Sequence, residues 1–157
     1  MIKAKIITLA VFVLIPFFFS IPIQQESSEN YLSIEALNLK VLVVESYSLS
    51  DLSGSVVVNF HPNIGGNTVI YGHRFTNRQL FSSAFLNLDN IKLNQRINFF
   101  WKNKVYEYVV FAKEVVYPDE NWILSESKAP ILTLITCTPL YNPVMRLVIF
   151  ARLLSSH

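Results

Sequence analysis

Residues 6–23 (IITLAVFVLIPFFFSIPI) carry no charge, and only Thr8 and Ser20 interrupt the apolar run. Eighteen residues of helix extend about 27 Å, close to the ~30 Å hydrocarbon core of a bilayer. A buried core helix would show a polar face, and this segment has none. Lys3 and Lys5 are the only charges before Glu26. The short basic side is therefore expected to stay in the cytoplasm, with the rest of the chain outside. An uncleaved signal anchor competes with a cleaved signal peptide. Phe18, Ser20, Pro22 and Gln24 supply no small-x-small cleavage site, so an anchor over residues 1–23 is the expectation.

Beyond the anchor the period changes. Residues 24–33 (QQESSENYLS) are polar and read as a juxtamembrane linker. Residues 34–154 then read as one mainly β domain. Leu37, Leu39, Val41 and Val43 recur at period two. Residues 55–60 and 67–71 are short strand candidates around a loop that holds His61, Pro62, Gly65 and Gly66. Ile97, Phe99 and Trp101 alternate, as do Tyr106, Tyr108 and Val110. Between them Lys102-Asn103-Lys104 predicts a hairpin with a three-residue connection. Leu80, Phe81, Ala84 and Phe85 lie at helical spacing and predict a short helix over 78–86. Residues 111–127 read as a loop between strands. Two more strands, 131–136 and 146–153, flank a loop containing Pro139, Asn142 and Pro143. About seven to eight short strands with one or two short helices point to a closed or nearly closed β-barrel.

Composition narrows the function. A chain of 157 residues, 52% hydrophobic and 15% charged, is one folded domain with a small appendage and not a disordered chain. The net charge of +2 comes from 13 basic and 11 acidic residues. Lys3 and Lys5 account for the excess, so the exported part is neutral and offers no field for nucleic acid. A single cysteine excludes an intramolecular disulfide and every multi-cysteine metal site. Glu114, Asp119 and Glu120 have no clear spacing for a cation, and neither a metal nor a cofactor is expected.

Three residue types draw attention at strand ends. Cys137 closes Thr133-Leu134-Ile135-Thr136-Cys137 and precedes Thr138-Pro139. A small buried hydrophobe is one reading, and a reactive thiol in an exported domain is the other. His73 closes Tyr71-Gly72-His73-Arg74, where surface hydrogen bonding and catalysis both fit. The other histidines are His61 in a loop and His157 on the terminal tail. Arg146 and Arg152 have the same parity on the last strand, and the residues alone leave the two equivalent.

Together these pieces resemble the sortases, cysteine transpeptidases of bacterial surfaces. TLITC, Thr133 to Cys137, matches the TLxTC signature, and Gly72-His73 looks like the strand-ending GH motif. Arg146, nine residues after Cys137, matches the family arginine. Asn67-Thr68-Val69-Ile70 resembles the N-x-V-I lead-in to the histidine. The resemblance runs from about residue 34 to 154. Tyr71 stands where small residues are frequent, and TCTPLYNP is similar to pilin-building sortases around the cysteine. With no DPW- or DPF-type lid before the barrel, the chain resembles the compact N-terminally anchored types, including classes D and E.

The resemblance implies acyl transfer on a sortase-type barrel. Cys137 would be the nucleophile, His73 the general acid/base and Arg146 the substrate or oxyanion stabiliser, with Thr136 and Thr138 in support. The implied partners are surface proteins with an LPxTG-like C-terminal sorting signal and an amine acceptor, such as a peptidoglycan crossbridge or a pilin lysine. The implied place is the outer face of a bacterial membrane. A secreted cysteine peptidase of the same fold and a non-catalytic, membrane-tethered binding module are the alternatives.

Overall fold

Strands form where β-branched and aromatic residues alternate, and the alternation points every second side chain to one side. The computed structural model describes residues 29–46, 56–58, 66–74 and 84–157. Eight strands follow in order: β1 (Tyr31–Ile34), β2 (Leu39–Glu45), β3 (Val56–Val58), β4 (Asn67–Tyr71), β5 (Arg96–Trp101), β6 (Lys104–Val116), β7 (Ile131–Thr138) and β8 (Met145–Ser156). They close into a barrel in the order β1-β2-β3-β4-β7-β8-β6-β5, with β1 pairing back on β5. Two neighbour pairs, β2–β3 and β4–β7, are parallel, and the others are antiparallel.

All eight strands give apolar side chains to the barrel interior. Among them are Leu32, Val43, Ile70, Phe99, Tyr108, Leu134 and Ile149. Trp101 and Phe99 fill its centre, 5.4 Å between ring centroids. Tyr108 is buried there, and burial pushes its phenol well above the usual range, against a hydrogen bond with Thr68 that acts the other way. Ala84, Phe85, Leu88 and Ile91 join the same cluster and stop one end of the barrel.

A second, smaller core lies on the outer face. Val69, Ile135, Val148 and Phe150 from β4, β7 and β8 meet Val116 of β6 and Ile123 of the β6–β7 connection. The connection folds back through a 3₁₀ turn, Asn121–Leu124. Trp122 stacks on Phe150 at 5.8 Å. Asn67 fastens it, with its amide donating to Ile123 O at 3.0 Å and Ser125 O at 3.3 Å. The Asn67 carbonyl oxygen accepts from Thr133 Oγ1 at 2.6 Å.

Several expectations need correction. The linker read over 24–33 gives up its last three residues, because Leu32 and Ile34 point into the core from β1. Four residues are too few for alternation to stand out from polar neighbours. Leu37 is not in a strand: Glu35–Leu37 is a 3₁₀ turn ended by Asn38 in the left-handed region, φ 49°. The hairpin connection has two residues, not three, and Lys102 and Asn103 both take positive φ, 47° and 65°. Residues 111–116 belong to β6 and not to a loop, held by pairing with β8. The final strands run longer than expected, to Thr138 and Ser156.

The helix expected over 78–86 lies outside the described residues except for 84–86, which form a turn. His61 and the apolar run of 6–23 also lie outside them. Among the described residues no helix is long and apolar enough to cross a membrane.

Asn67→Ala removes two donors and one acceptor from a buried amide. It should cost about 1–3 kcal/mol in chemical denaturation and make the 117–130 connection easier to cleave by protease. Wild-type stability and resistance would show that Asn67 does not fasten this segment.

Candidate active site

The site is built from the pairing of β4, β7 and β8. In the parallel β4–β7 ladder Asn67 stands opposite Ile131 and Tyr71 opposite Ile135, an offset of 64 residues. In the antiparallel β7–β8 ladder Ile131 faces Arg152 and Cys137 faces Arg146 without a bulge. Lateral rows therefore cross the three strands. Val69, Thr133 and Phe150 make one row, and Tyr71, Ile135 and Val148 the next. Two residues farther, about 6.6 Å along the strands, Cys137 pairs with Arg146, and His73 lies two residues past the end of β4, at the same sequence offset from Cys137.

Cys137 and Arg146 share their face with Ile135 and Val148, so they lie on the outside of the barrel. The β6–β7 connection covers the earlier rows. Cys137 and Arg146, at the end of the sheet, are half-buried, and so is His73. Val116 faces Arg146 from β6. Arg146 Nη1 donates to the carbonyl oxygen of Met145 at 3.1 Å. Residues 139–144 connect β7 to β8 past the row, with Tyr141 and Val144 exposed.

The backbone that carries His73 is pinned on every side. Gly72 N–H donates to Ile135 O at 3.1 Å, and His73 O accepts from Phe85 N–H at 2.9 Å. Thr136 Oγ1 donates to Gly72 O at 2.8 Å. Arg74 Nη1 donates to Thr138 Oγ1 at 2.7 Å, and its Nη2 pairs with Asp89. Gly72 is required by packing: a β-carbon there would stand 2.6 and 2.8 Å from the Phe85 ring and 2.8 Å from Val56 Cγ1.

Of the residues singled out in the sequence, Cys137 and Arg146 pair across β7 and β8, and His73 lies two residues past the end of β4, whose Tyr71 pairs with Ile135. Arg152 lies six residues along β8, opposite Ile131 and exposed. His157 pairs with the backbone of Val105, away from the row. The Thr136 hydroxyl and the Thr138 hydroxyl are both engaged with the His73 strand end. Arg74 and Asp89 were not singled out. Their only sequence signal is Arg74's place beside His73, and its link to Thr138 depends on the 64-residue offset. Among the described residues no three His, Cys, Asp or Glu side chains could hold a metal ion. Among the described residues, an open groove of about 330 Å³ between β2 and residues 84–87 offers only Lys40 as a titratable lining group.

Cys137 stands at a strand end of an all-β barrel, in register with Arg146. The family model for the Sortase domain matches residues 32–154, and the chain belongs to the sortase family. Family membership implies cysteine transpeptidase activity. Among curated proteins no sequence matches it. Solved structures give the same fold. Sortase A from Corynebacterium diphtheriae, as a lid mutant, is 23% identical with a TM-score of 0.73, over 82% of this chain and 70% of that one. Sortase C1 from Streptococcus agalactiae is 26% identical with a TM-score of 0.71, over 84% and 70%. A Clostridium perfringens sortase D5 transpeptidase is 20% identical with a TM-score of 0.70, over 82% and 79%.

Gly72→Ala tests the seat of the histidine. The added methyl group should destabilise the domain by about 1–3 kcal/mol, read as a lowered Tm. Adding Phe85→Leu should recover part of the loss by shrinking the ring it meets. A Gly72→Ala domain as stable as wild type would remove packing as the reason for glycine.

Proposed function

We propose that this sortase is a membrane-anchored transpeptidase that cleaves a C-terminal sorting signal of the LPxTG kind and joins the protein to a cell-surface amine. The observation that carries the reading is the pairing of Cys137 with Arg146 across β7 and β8, with His73 two residues past the end of β4, the strand that pairs with β7. The Cys137 thiolate attacks the carbonyl carbon of the scissile peptide bond and forms a tetrahedral intermediate. Collapse breaks the C–N bond, and His73 as imidazolium donates a proton to the departing amine. A thioester remains on Cys137. The incoming amine attacks it, His73 takes the proton from that amine, and the thiolate leaves. Family membership supports acyl transfer.

Arg146 holds its charge at any working pH and serves as hydrogen-bond donor to the substrate carbonyl or the oxyanion, not as a base. The backbone N–H of Thr138, next to the nucleophile, is a second candidate donor. Thr136 supports from behind, through its bond to Gly72 O. Partners are surface proteins with a sorting signal and an acceptor such as a peptidoglycan crossbridge or a pilin lysine. The compact, N-terminally anchored organisation supports a class D- or E-like assignment. Residues 1–23 hold the enzyme in a bacterial membrane with the barrel outside.

Full-length protein in detergent, given a sorting-signal peptide and an amine, should form a thioacyl adduct seen by intact mass and release transfer product. Cys137→Ala should abolish both. Arg146→Ala should lower turnover by on the order of 10²–10³, the range for loss of an oxyanion donor. Arg146→Lys should rescue in part, lacking the planar fork. Arg152→Ala should stay within a few-fold. Retained transfer in Cys137→Ala, or a crippling Arg152→Ala beside a mild Arg146→Ala, overturns these assignments. Product formed by water alone, with amine present in excess, makes the protein a peptidase.

Topology has its own measurement. Protease added to intact spheroplasts should digest the barrel and spare the residues before the anchor. A barrel protected from protease, with an accessible N-terminus, inverts the orientation.

A further inference from the structure

The outer pair of Cys137 and Arg146, with His73 past the end of β4, has a polar counterpart among the neighbouring residues of the same strand ends. Thr136 and Thr138 flank Cys137, and Gly72 and Arg74 flank His73. Thr136 Oγ1 donates to Gly72 O at 2.8 Å, and Arg74 Nη1 donates to Thr138 Oγ1 at 2.7 Å. Both links span 64 residues, the offset of the β4–β7 ladder. The pair His73 and Cys137 is thus bracketed by two side-chain hydrogen bonds that reach across from one strand end to the other.

Arg74 is the unusual member. It is 8% exposed, and a guanidinium leaves water at a cost that only paired, well-directed bonds offset. It pairs through Nη2 with Asp89, in the 3₁₀ turn Leu88–Asn90, so the carboxylate comes from outside the sheet. That turn is itself held, with Lys113 Nζ donating to Asp89 O and, at 3.5 Å, to Ile91 O. The turn also packs into the barrel end through Leu88. The chain of contacts therefore runs from β6 through the turn to Arg74 and on to the residue that follows Cys137.

We propose that Arg74 is a positioning residue of this site: held by Asp89, it holds Thr138 and so fixes the His73 and Cys137 strand ends beside each other. It touches neither substrate nor the reacting sulfur. The assignment rests on the reading of Cys137 and His73 as the reacting pair. Strand-end backbone beyond Tyr71 is outside the regular ladder, so side-chain links supply the directional restraint that ladder bonds supply earlier in β4.

The experiment uses the full-length chain and two readouts, the pH profile of Cys137 alkylation by iodoacetamide and the kinetics of peptide transfer. Arg74→Ala and Thr138→Val should each shift the midpoint of the alkylation profile. Each should also lower kcat about 10- to 100-fold while KM for the peptide changes less than threefold. Thr138→Val alters no charge, so a shift it shares with Arg74→Ala arises from geometry. It also guards against failure of Arg74→Ala to fold. The double variant should be no worse than the worse single, because both remove one link. Thr138→Ser, which keeps the acceptor oxygen, should recover most of what Thr138→Val loses.

Folded variants with unchanged alkylation profiles and kcat within twofold of wild type overturn the proposal, as does a double variant whose effects multiply. Alkylation needs no peptide. If the wild-type chain transfers no peptide but the profile shifts in both variants, the transpeptidase reading fails and the positioning role stands.

Discussion

The parallel pairing of β4 with β7 is the constraint on which the site depends. Parallel neighbours cannot be joined by a tight turn, so long stretches of chain separate them, here 64 residues between partners. The stretch between is not idle. It supplies β5, β6 and the segment whose Ala84, Phe85, Leu88 and Ile91 stop the barrel end beneath Gly72. The β4 end that leads to the histidine and the β7 end that carries the thiol are thus separated in sequence by the chain that builds much of the barrel. The arginine needs no such closure, since β8 follows β7 through residues 139–144 and pairs with it as a hairpin.

One sheet serves two cores, and a bulge makes this possible. On β6 the register with β8 shifts between Val110 and Ala112. Before the shift Tyr106, Tyr108 and Val110 point into the barrel. After it, Ala112 and Val116 join the outer core. Were Phe111 paired as an ordinary ladder residue, the alternation would run on from Val110 and Val116 would turn into the barrel. The outer core then has a wall on the β6 side, opposite Arg146, and a roof in the connection that Asn67 fastens. The same face that buries Ile135 and Val148 ends in Cys137 and Arg146. These two stand on strands over a packed floor, and His73 follows the end of β4.

Much of this was legible in the sequence, for physical reasons that differ by element. The alternation of β5 and β6 carries a period-two signal strong enough to read directly, and Asn67–Tyr71 reads as a short strand. The candidate site residues were singled out through family resemblance, because TLITC and Gly72-His73 are short and contiguous. Tyr31–Ile34 was not, since two inward residues cannot establish a period. The continuation of β6 through 111–116 was hidden by the bulge, which breaks the alternation that would have announced it. The Arg74–Thr138 bond could not be read at all. It needs the β4–β7 register, and no local pattern encodes a partner 64 residues away.

Apolar packing holds β4 against β7 but does not by itself choose their register. Ile70, Leu134, Val69 and Ile135 gain from burial in a way that depends little on direction. A slip of one residue would turn every side chain to the other face, and a slip of two would keep the faces and misplace the row. Side-chain hydrogen bonds penalise both slips, because a displaced donor is left buried without its acceptor. Three of them cross this pair of strands: Thr133 to Asn67 near its start, then Thr136 to Gly72 and Arg74 to Thr138 at its end. The first two are buried, where a missing partner costs most, and the third is part-buried. The threonines of the TLITC stretch thus have a reason independent of chemistry at the sulfur. They and Arg74 make the register that lines up His73 with Cys137 the one in which no buried polar bond of this set is lost.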